Sequence, residues 1–280
     1  MTALVERAQI ERTPPHGLGI IAGGGELPRA IALGARAESR AVFVLALHDT
    51  GDWVLDFPHT RLSMGQIGKT IALLHANACE DVVFAGYVSR PNFFKLRYDA
   101  KGLSWLFPVV WGMRKGDNTL LDVMVGLFER EGLAVKSVAD VAPWLQIPPG
   151  PLGKVHPTPQ DEIDIALAMA AARAQGARDV GQAVIVRGGK IAVIEGRDGT
   201  DAMLTKFSAA GARGVLAKAL KPQQTRKTDL PTIGVATVRN AAAAGLAGIV
   251  VEAHTALVLD KQAVAQAADA FGIFVMAVAP

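Results

Sequence analysis

Leu18-Gly19-Ile20-Ile21-Ala22-Gly23-Gly24-Gly25-Glu26-Leu27-Pro28 decides the fold, because a strand, a turn and a helix start follow one another without a gap. The apolar run 18–22 suits a strand buried on both faces, the glycines permit a sharp turn with close backbone approach, and proline favours the first turn of a helix over 28–39. Downstream the same rhythm continues: strand 41–47, helix 66–78, strand 81–85. That is parallel β-α-β order. Open sheets of this kind bind ligands at strand-to-helix turns, so the glycine loop is a candidate contact for a phosphate or a sugar, with a merely tight turn as the alternative. Its spacing is neither the dinucleotide fingerprint nor a Walker loop, so neither hydride transfer nor NTP hydrolysis is implied.

With 280 residues the chain exceeds what one core usually organises, and two domains are expected. Half the residues are hydrophobic, which excludes a disordered chain. The net charge of +3, from 29 basic and 26 acidic residues, comes without a basic stripe interleaved with aromatics, so no nucleic-acid partner is expected. One cysteine, Cys79, excludes an internal disulfide framework and suits a reducing compartment. Residues 1–16 lack the apolar core of a signal peptide and read as a disordered extension, while the richest apolar stretches, 105–113 and 241–251, are too short to span a bilayer. The expected location is the cytoplasm.

Residues 117–131 recover helical spacing, and the Pro- and Gly-rich stretch that follows sets a boundary: a nucleotide-binding domain over 17–147, a linker over 148–159 and a second α/β domain over 160–280. In the second half a helix over 160–174 precedes two strands, 182–186 and 190–194, joined by Gly188-Gly189 as a hairpin. Strands are expected at 214–217, 232–236, 248–251, 256–259 and 273–278, with helices at 201–210, 239–244 and 262–270. Residues 93–113 resist assignment, because Gly102, Pro108 and Gly112 interrupt an aromatic run.

Chemistry concentrates in a few stations. Gly86-Tyr87-Val88-Ser89-Arg90 follows the third strand, with an aromatic for base stacking and an arginine able to fork onto an anion. Arg114-Lys115-Gly116-Asp117 turns into a helix, where Asp117 reads equally as a cap or a ligand contact. Glu195 ends a strand, and Asp201, beside Thr200, is either a helix-start residue under a Thr200 cap or a metal ligand. Lys218 and Lys221 precede Lys227-Thr228-Asp229-Leu230-Pro231-Thr232-Ile233-Gly234, where Asp229 is either a surface partner of Lys227 or a catalytic carboxylate. Carboxylates that can hold a hard cation beside lysines that can neutralise phosphoryl oxygens are the equipment of a phosphate-ester or pyrophosphate enzyme. Phe93, Phe94, Leu103, Trp105, Leu106, Phe107 and Trp111 form either core or an acyl-chain groove or membrane-facing patch. The scattered histidines and the absence of a G-x-S-x-G elbow argue against zinc hydrolysis and serine acyl chemistry.

Taken in order, residues 19–28, 84–91, 114–117, 196–203 and 216–236 resemble the LpxI-type UDP-2,3-diacylglucosamine pyrophosphatases of lipid A biosynthesis, and the similarity runs from about residue 18 to the C-terminus. The resemblance implies a Rossmann-like N-terminal domain with a parallel sheet, a mixed α/β C-terminal domain, and a homodimer that exchanges parts. It implies Mg²⁺-dependent hydrolysis of UDP-2,3-diacylglucosamine to UMP and 2,3-diacylglucosamine 1-phosphate, with Mn²⁺ as an alternative ion and water attacking the sugar-side phosphorus. The essential aspartate of the D-L-P-T-I-G segment corresponds to Asp229. The extension 1–16, Glu26 and His156 depart from the family pattern.

The expected site follows. Asp229, Asp201 and Lys218 are catalytic, and Asp229, Asp201 and Glu195 hold the metal. Gly23, Gly24, Gly25, Glu26 and Leu27, with Tyr87, Val88, Ser89 and Arg90, hold the substrate, joined by Lys115, Gly116, Asp117, Thr200, Lys221 and Thr232. A diacylated substrate implies transient contact with the cytoplasmic leaflet. An NAD-dependent oxidoreductase and a non-catalytic nucleotide-sugar or lipid sensor are the rival readings.

Overall fold

Uninterrupted apolar runs become the strands of the first sheet. The computed structural model describes residues 16–47, 50–88, 96–115, 117–177, 181–196, 199–208, 213–220 and 230–279, with side chains for all of these but 113–115, 117–121, 177, 201 and 208. The first domain runs β1 (Gly17–Ala22), α1 (Leu27–Ala37), β2 (Val42–Ala46), β3 (His59–Arg61), α2 (Ile67–Ala76), β4 (Cys79–Ala85), α3 (Ala100–Lys115), α4 (Asp117–Arg130), β5 (Ala134–Val135) and α5 (Val138–Val141). Its strands are all parallel, in the order β3-β2-β1-β4-β5. One face is covered by α1 and α5 through Ile31, Ala35, Val138 and Val141, the other by α2, α3 and α4 through Leu74, Trp105, Val125 and Phe128. Strand order reverses direction between β1 and β4, which opens a crevice at their carboxyl ends.

The second domain continues with β6 (Gly150–Pro151), α6 (Pro159–Ala177), β7 (Ala183–Arg187), β8 (Lys190–Ile194), α7 (Gly199–Ser208), β9 (Val215–Lys218), β10 (Thr232–Ile233), α8 (Val235–Ala243), β11 (Gly248–Glu252), β12 (Leu257–Val258), α9 (Lys261–Phe271) and β13 (Phe274–Val278). Its main sheet has the order β6-β13-β11-β9-β7-β8, with β9, β11 and β13 parallel and the flanking strands antiparallel. Here α6 packs on one face, and α7, α8 and α9 pack on the other. The β7–β8 hairpin turns at Gly188 and Gly189, both at positive φ, and the Asp164 carboxylate accepts both of their amides, at 2.8 and 2.6 Å. That anchor ties the turn to α6.

Several expectations change. The strand expected over 232–236 stops at Ile233, and α8 starts at Val235, because extended Gly234 serves as its N-cap with Thr237 Oγ1 accepting the Gly234 amide at 3.3 Å. Thr200 is not a cap but a first-turn residue, since α7 begins at Gly199. The stretch that resisted assignment contains α3, with Pro108 inside the helix. Gly102 is its close-packing point and not a breaker: a Cβ there would lie 1.8 Å from the Gly65 carbonyl oxygen. The expected linker includes β6, a strand of the second sheet. The expected extension lies outside the described residues except for His16, as do Phe93 and Phe94.

The two domains meet through a small parallel sheet of β10 and β12. Leu257 is fully buried within the first domain's α1-side core, together with Ile20, Ala22 and Leu145, and Leu230 and Leu259 pack against the same cluster. Backbone bonds close the seam: Gln146 bridges Leu257, and His254 N donates to Ile147 O at 3.0 Å.

The aromatic segment divides by burial. Trp105 is 7% exposed and meets Phe128 edge-on at 5.5 Å, whereas Phe107 is 80% exposed. Trp105→Ala should lower stability by about 3–5 kcal/mol, and Phe107→Ala should stay within about 0.5 kcal/mol of the parent. Chemical denaturation checks both; equal losses would contradict this partition.

Candidate active site at the domain junction

Two of the sequence stations converge at the crevice between β1 and β4. Gly23 N donates to Ala85 O at 2.9 Å, Gly24 N to Tyr87 O at 2.8 Å, and Tyr87 N back to Gly24 O at 3.0 Å. The loops after the two strands are therefore stitched together as a short antiparallel bridge. Side chains would prevent it: a Cβ on Gly23 would sit 2.2 Å from Tyr87 O, and one on Gly24 would sit 2.5 Å from the Tyr87 ring. Gly86 has φ +86°, and a Cβ there would lie 2.4 Å from Gly24 O. The Tyr87 ring lies over Gly24 and Gly25 and remains 65% exposed, which leaves a flat aromatic face beside the start of α1.

That helix start is open. No side chain caps it and no acidic residue occupies its first turn, while Glu26 at the N-cap position reaches only toward Arg29, at 3.9 Å. Leu27 packs against the α1-side core. Free amides and the positive end of a helix favour an anion there. Thr50, which the sequence reading did not single out, is buried and donates to Ala22 O at 2.5 Å, and Arg61 donates to Thr50 O at 3.1 Å, so the end of β1 is braced from the β2–β3 side.

The second convergence lies at the carboxyl edge of the parallel strands in the second sheet. Lys218, the last residue of β9, is buried and in register with Ala183 on one side and Val251 on the other. Buried Glu195 accepts Gln182 N at 2.7 Å and Ala183 N at 3.1 Å through Oε2, and the Thr200 hydroxyl at 2.6 Å through Oε1. Its carboxylate thereby clamps the start of β7 to the first turn of α7, the turn that carries Asp201. Glu252, ending β11, is also buried and accepts Arg173 Nε at 2.8 Å. Glu252 and Arg173 were missed because a glutamate closing an apolar strand and an arginine within a helix carry no local sign of their pairing.

Thr232 lies in β10, its hydroxyl donating to Leu230 O at 3.1 Å. Ser89, Arg90, Gly116, Lys221 and Asp229 lie outside the described residues, and Lys115, Asp117 and Asp201 are placed only as helix positions. Val88 is exposed beside Tyr87. Among the described residues no group of three or more His, Cys, Asp or Glu side chains forms a metal cluster. The aspartates expected to hold an ion are those whose carboxylates fall outside the described set, and Glu195, with three hydrogen bonds accepted, keeps lone-pair capacity on Oε1.

The stitched loop is testable without substrate. Gly86→Ala forces a side chain into a left-handed backbone and against Gly24 O, so stability should fall by about 1–3 kcal/mol, with amide exchange at Gly24 and Tyr87 rising above that of the distant β7–β8 hairpin. Unchanged protection at both amides would show that the bridge does not depend on the glycine.

Residues 17–145 match the family model for the LpxI N-terminal domain, and residues 148–276 match that for the LpxI C-terminal domain. The chain is 44% identical over 273 residues to the UDP-2,3-diacylglucosamine pyrophosphatase LpxI of Caulobacter vibrioides, covering 94% of this chain and 98% of that protein. With both halves matched in order and nearly the whole length aligned, the chain belongs to the LpxI family.

Proposed function

We propose that this chain is a UDP-2,3-diacylglucosamine pyrophosphatase, hydrolysing its substrate to UMP and 2,3-diacylglucosamine 1-phosphate in lipid A biosynthesis. The observation that supports the reading is that buried Lys218 closes β9 at the carboxyl edge of the second sheet, while Leu230 packs on the first domain's core, the one that also holds Ala22 and Leu27 of the glycine loop.

In this reading the uracil stacks on Tyr87 and is held with Val88, Ser89 and Arg90, and the pyrophosphate approaches Gly23, Gly24, Gly25 and the open amides of α1, with Lys115 near. Lys218 and Lys221 offset charge that grows on the phosphoryl oxygens. Asp229 and Asp201 supply oxygen donors suited to Mg²⁺, with Mn²⁺ as the alternative, and Glu195 fixes the turn from which Asp201 projects. The ion, when bound, supplies charge neutralisation and acidifies a water. Water oxygen bonds to the sugar-side phosphorus, the bond from that phosphorus to the bridging oxygen breaks, and UMP departs with the bridging oxygen. A cytoplasmic homodimer in transient contact with the inner leaflet completes the proposal. No helix among the described residues is long and apolar enough to cross a membrane.

Phosphorus NMR of substrate incubated with protein and Mg²⁺ should show UMP and a sugar phosphate appearing together, and in ¹⁸O-water the label should enter the sugar phosphate alone. Binding without products would leave a sensor instead. Asp229→Ala should fold and bind substrate but lose about three orders of magnitude in kcat, because it removes an interaction made chiefly in the transition state. Turnover near that of the parent in the folded variant would remove Asp229 from the mechanism.

A further inference from the structure

From Gly102 to Met113 the sequence has no charged residue, and Ser104 is its one hydroxyl or amide side chain. An apolar surround is expected of a helix buried on all sides, yet α3 lies on the surface of the first domain. Its inner face is accounted for by Gly102, Trp105 and Gly112, which are buried. Its outer face presents Leu103 (58% exposed), Phe107 (80%) and Trp111 (47%), spaced four residues apart and so forming one stripe. At roughly 1.5 Å per residue the uncharged run is about 18 Å long, too short for a bilayer core of about 30 Å but sufficient to lie along its surface.

Charge sets the choice of occupant. In the sequence Lys95 and Arg97 precede the helix, and Arg114 stands at its other end. Arg97 is exposed. Lys101 is neutralised by Glu131 at 2.6 Å. Asp99 is turned inward as a cap, accepting the Gly102 amide at 2.8 Å and the Lys69 amide at 2.9 Å. Burial works to raise the Asp99 carboxyl, and these amides outweigh it and hold it below the usual carboxylate range. An apolar stripe with cations at both ends matches an anionic lipid surface, where the side chains enter the acyl boundary and the cations meet headgroups. It opposes a second copy of the chain, since a symmetric pairing in either direction would set like charges against each other.

We propose that the outer stripe of α3, through Leu103, Phe107 and Trp111, docks the protein on an anionic lipid surface. The inference rests on the reading that the substrate is a diacylated lipid, and it assigns the contact to side chains that the proposed chemistry does not use. Docking brings the enzyme to a substrate anchored in the same surface and takes no part in bond breaking.

The test uses the full chain and the double variant Leu103→Glu/Phe107→Glu, whose side chains are exposed enough to spare the fold. Sedimentation with vesicles of equimolar phosphatidylglycerol and phosphatidylcholine should retain the parent, vesicles of phosphatidylcholine alone should retain it less, and the variant should lose about tenfold or more in partition to the anionic vesicles. Turnover of detergent-dispersed substrate and the oligomeric mass should be the same for both. A variant that sediments like the parent overturns the proposal, and so does a parent that ignores anionic vesicles. A variant whose mass changes while vesicle binding persists makes the stripe a contact between copies and overturns it too. If the parent binds vesicles but cannot turn over dispersed substrate, the docking face stands and the pyrophosphatase reading falls.

Discussion

Burial of Leu257 in the core of the other domain is the constraint on which the arrangement depends. A fully buried leucine contributes about 2–3 kcal/mol relative to an exposed one, and here that term acts between domains, since Leu257 belongs in sequence to the second half and in packing to the first. The Gln146–Leu257 bridge fixes the register of the contact, and β10 aligns beside β12. Thr232 and Leu230 inherit their positions from that pairing. The seam thus holds the sheet that carries the glycine loop against the one that ends in Lys218.

Each half then uses backbone to make its own contribution rigid. In the first domain, glycines at 23, 24 and 86 allow two loops to pair so closely that an aromatic ring covers the turn. In the second, carboxylates buried at the sheet edge take the place of a missing ladder: Glu195 satisfies the amides of Gln182 and Ala183, and Glu252 is held by Arg173 and Thr255. Buried charges persist only when paired or hydrogen-bonded. Two such acids and buried Lys218 make the ends of these strands polar inside an otherwise apolar domain, a local departure from good packing of the kind that accompanies function.

Much of this was legible in the sequence. Long apolar runs such as 18–22, 42–46 and 248–251 lie in strands, and the glycines followed by proline mark the first loop and helix, because each signal is carried by adjacent residues. Short elements were not legible: β3 is three residues of polar edge strand, and β5, β6, β10 and β12 have two residues each, too few to show a period. Gly102 was misread as an interruption because its role depends on Gly65, distant in sequence. At the site, the glycine loop and Tyr87 lie side by side, and Thr200 and Glu195 meet one another directly. Glu252, Arg173 and Thr50 were invisible because their partners lie 79, 79 and 28 residues away.

The pairing of β6 with β13 reaches further than architecture. Gly150 and Pro151, the first strand residues of the second domain, bond across to Ala277 and Met276, and Leu152 N donates to Val275 O at 2.7 Å. The second sheet therefore cannot close until β13 has left the ribosome. The first domain's sheet uses only residues up to Val135 and can assemble earlier during synthesis, although the place of Leu257 in its core stays open until the later half arrives. Until then the apolar surface that Leu257 covers stays open to water.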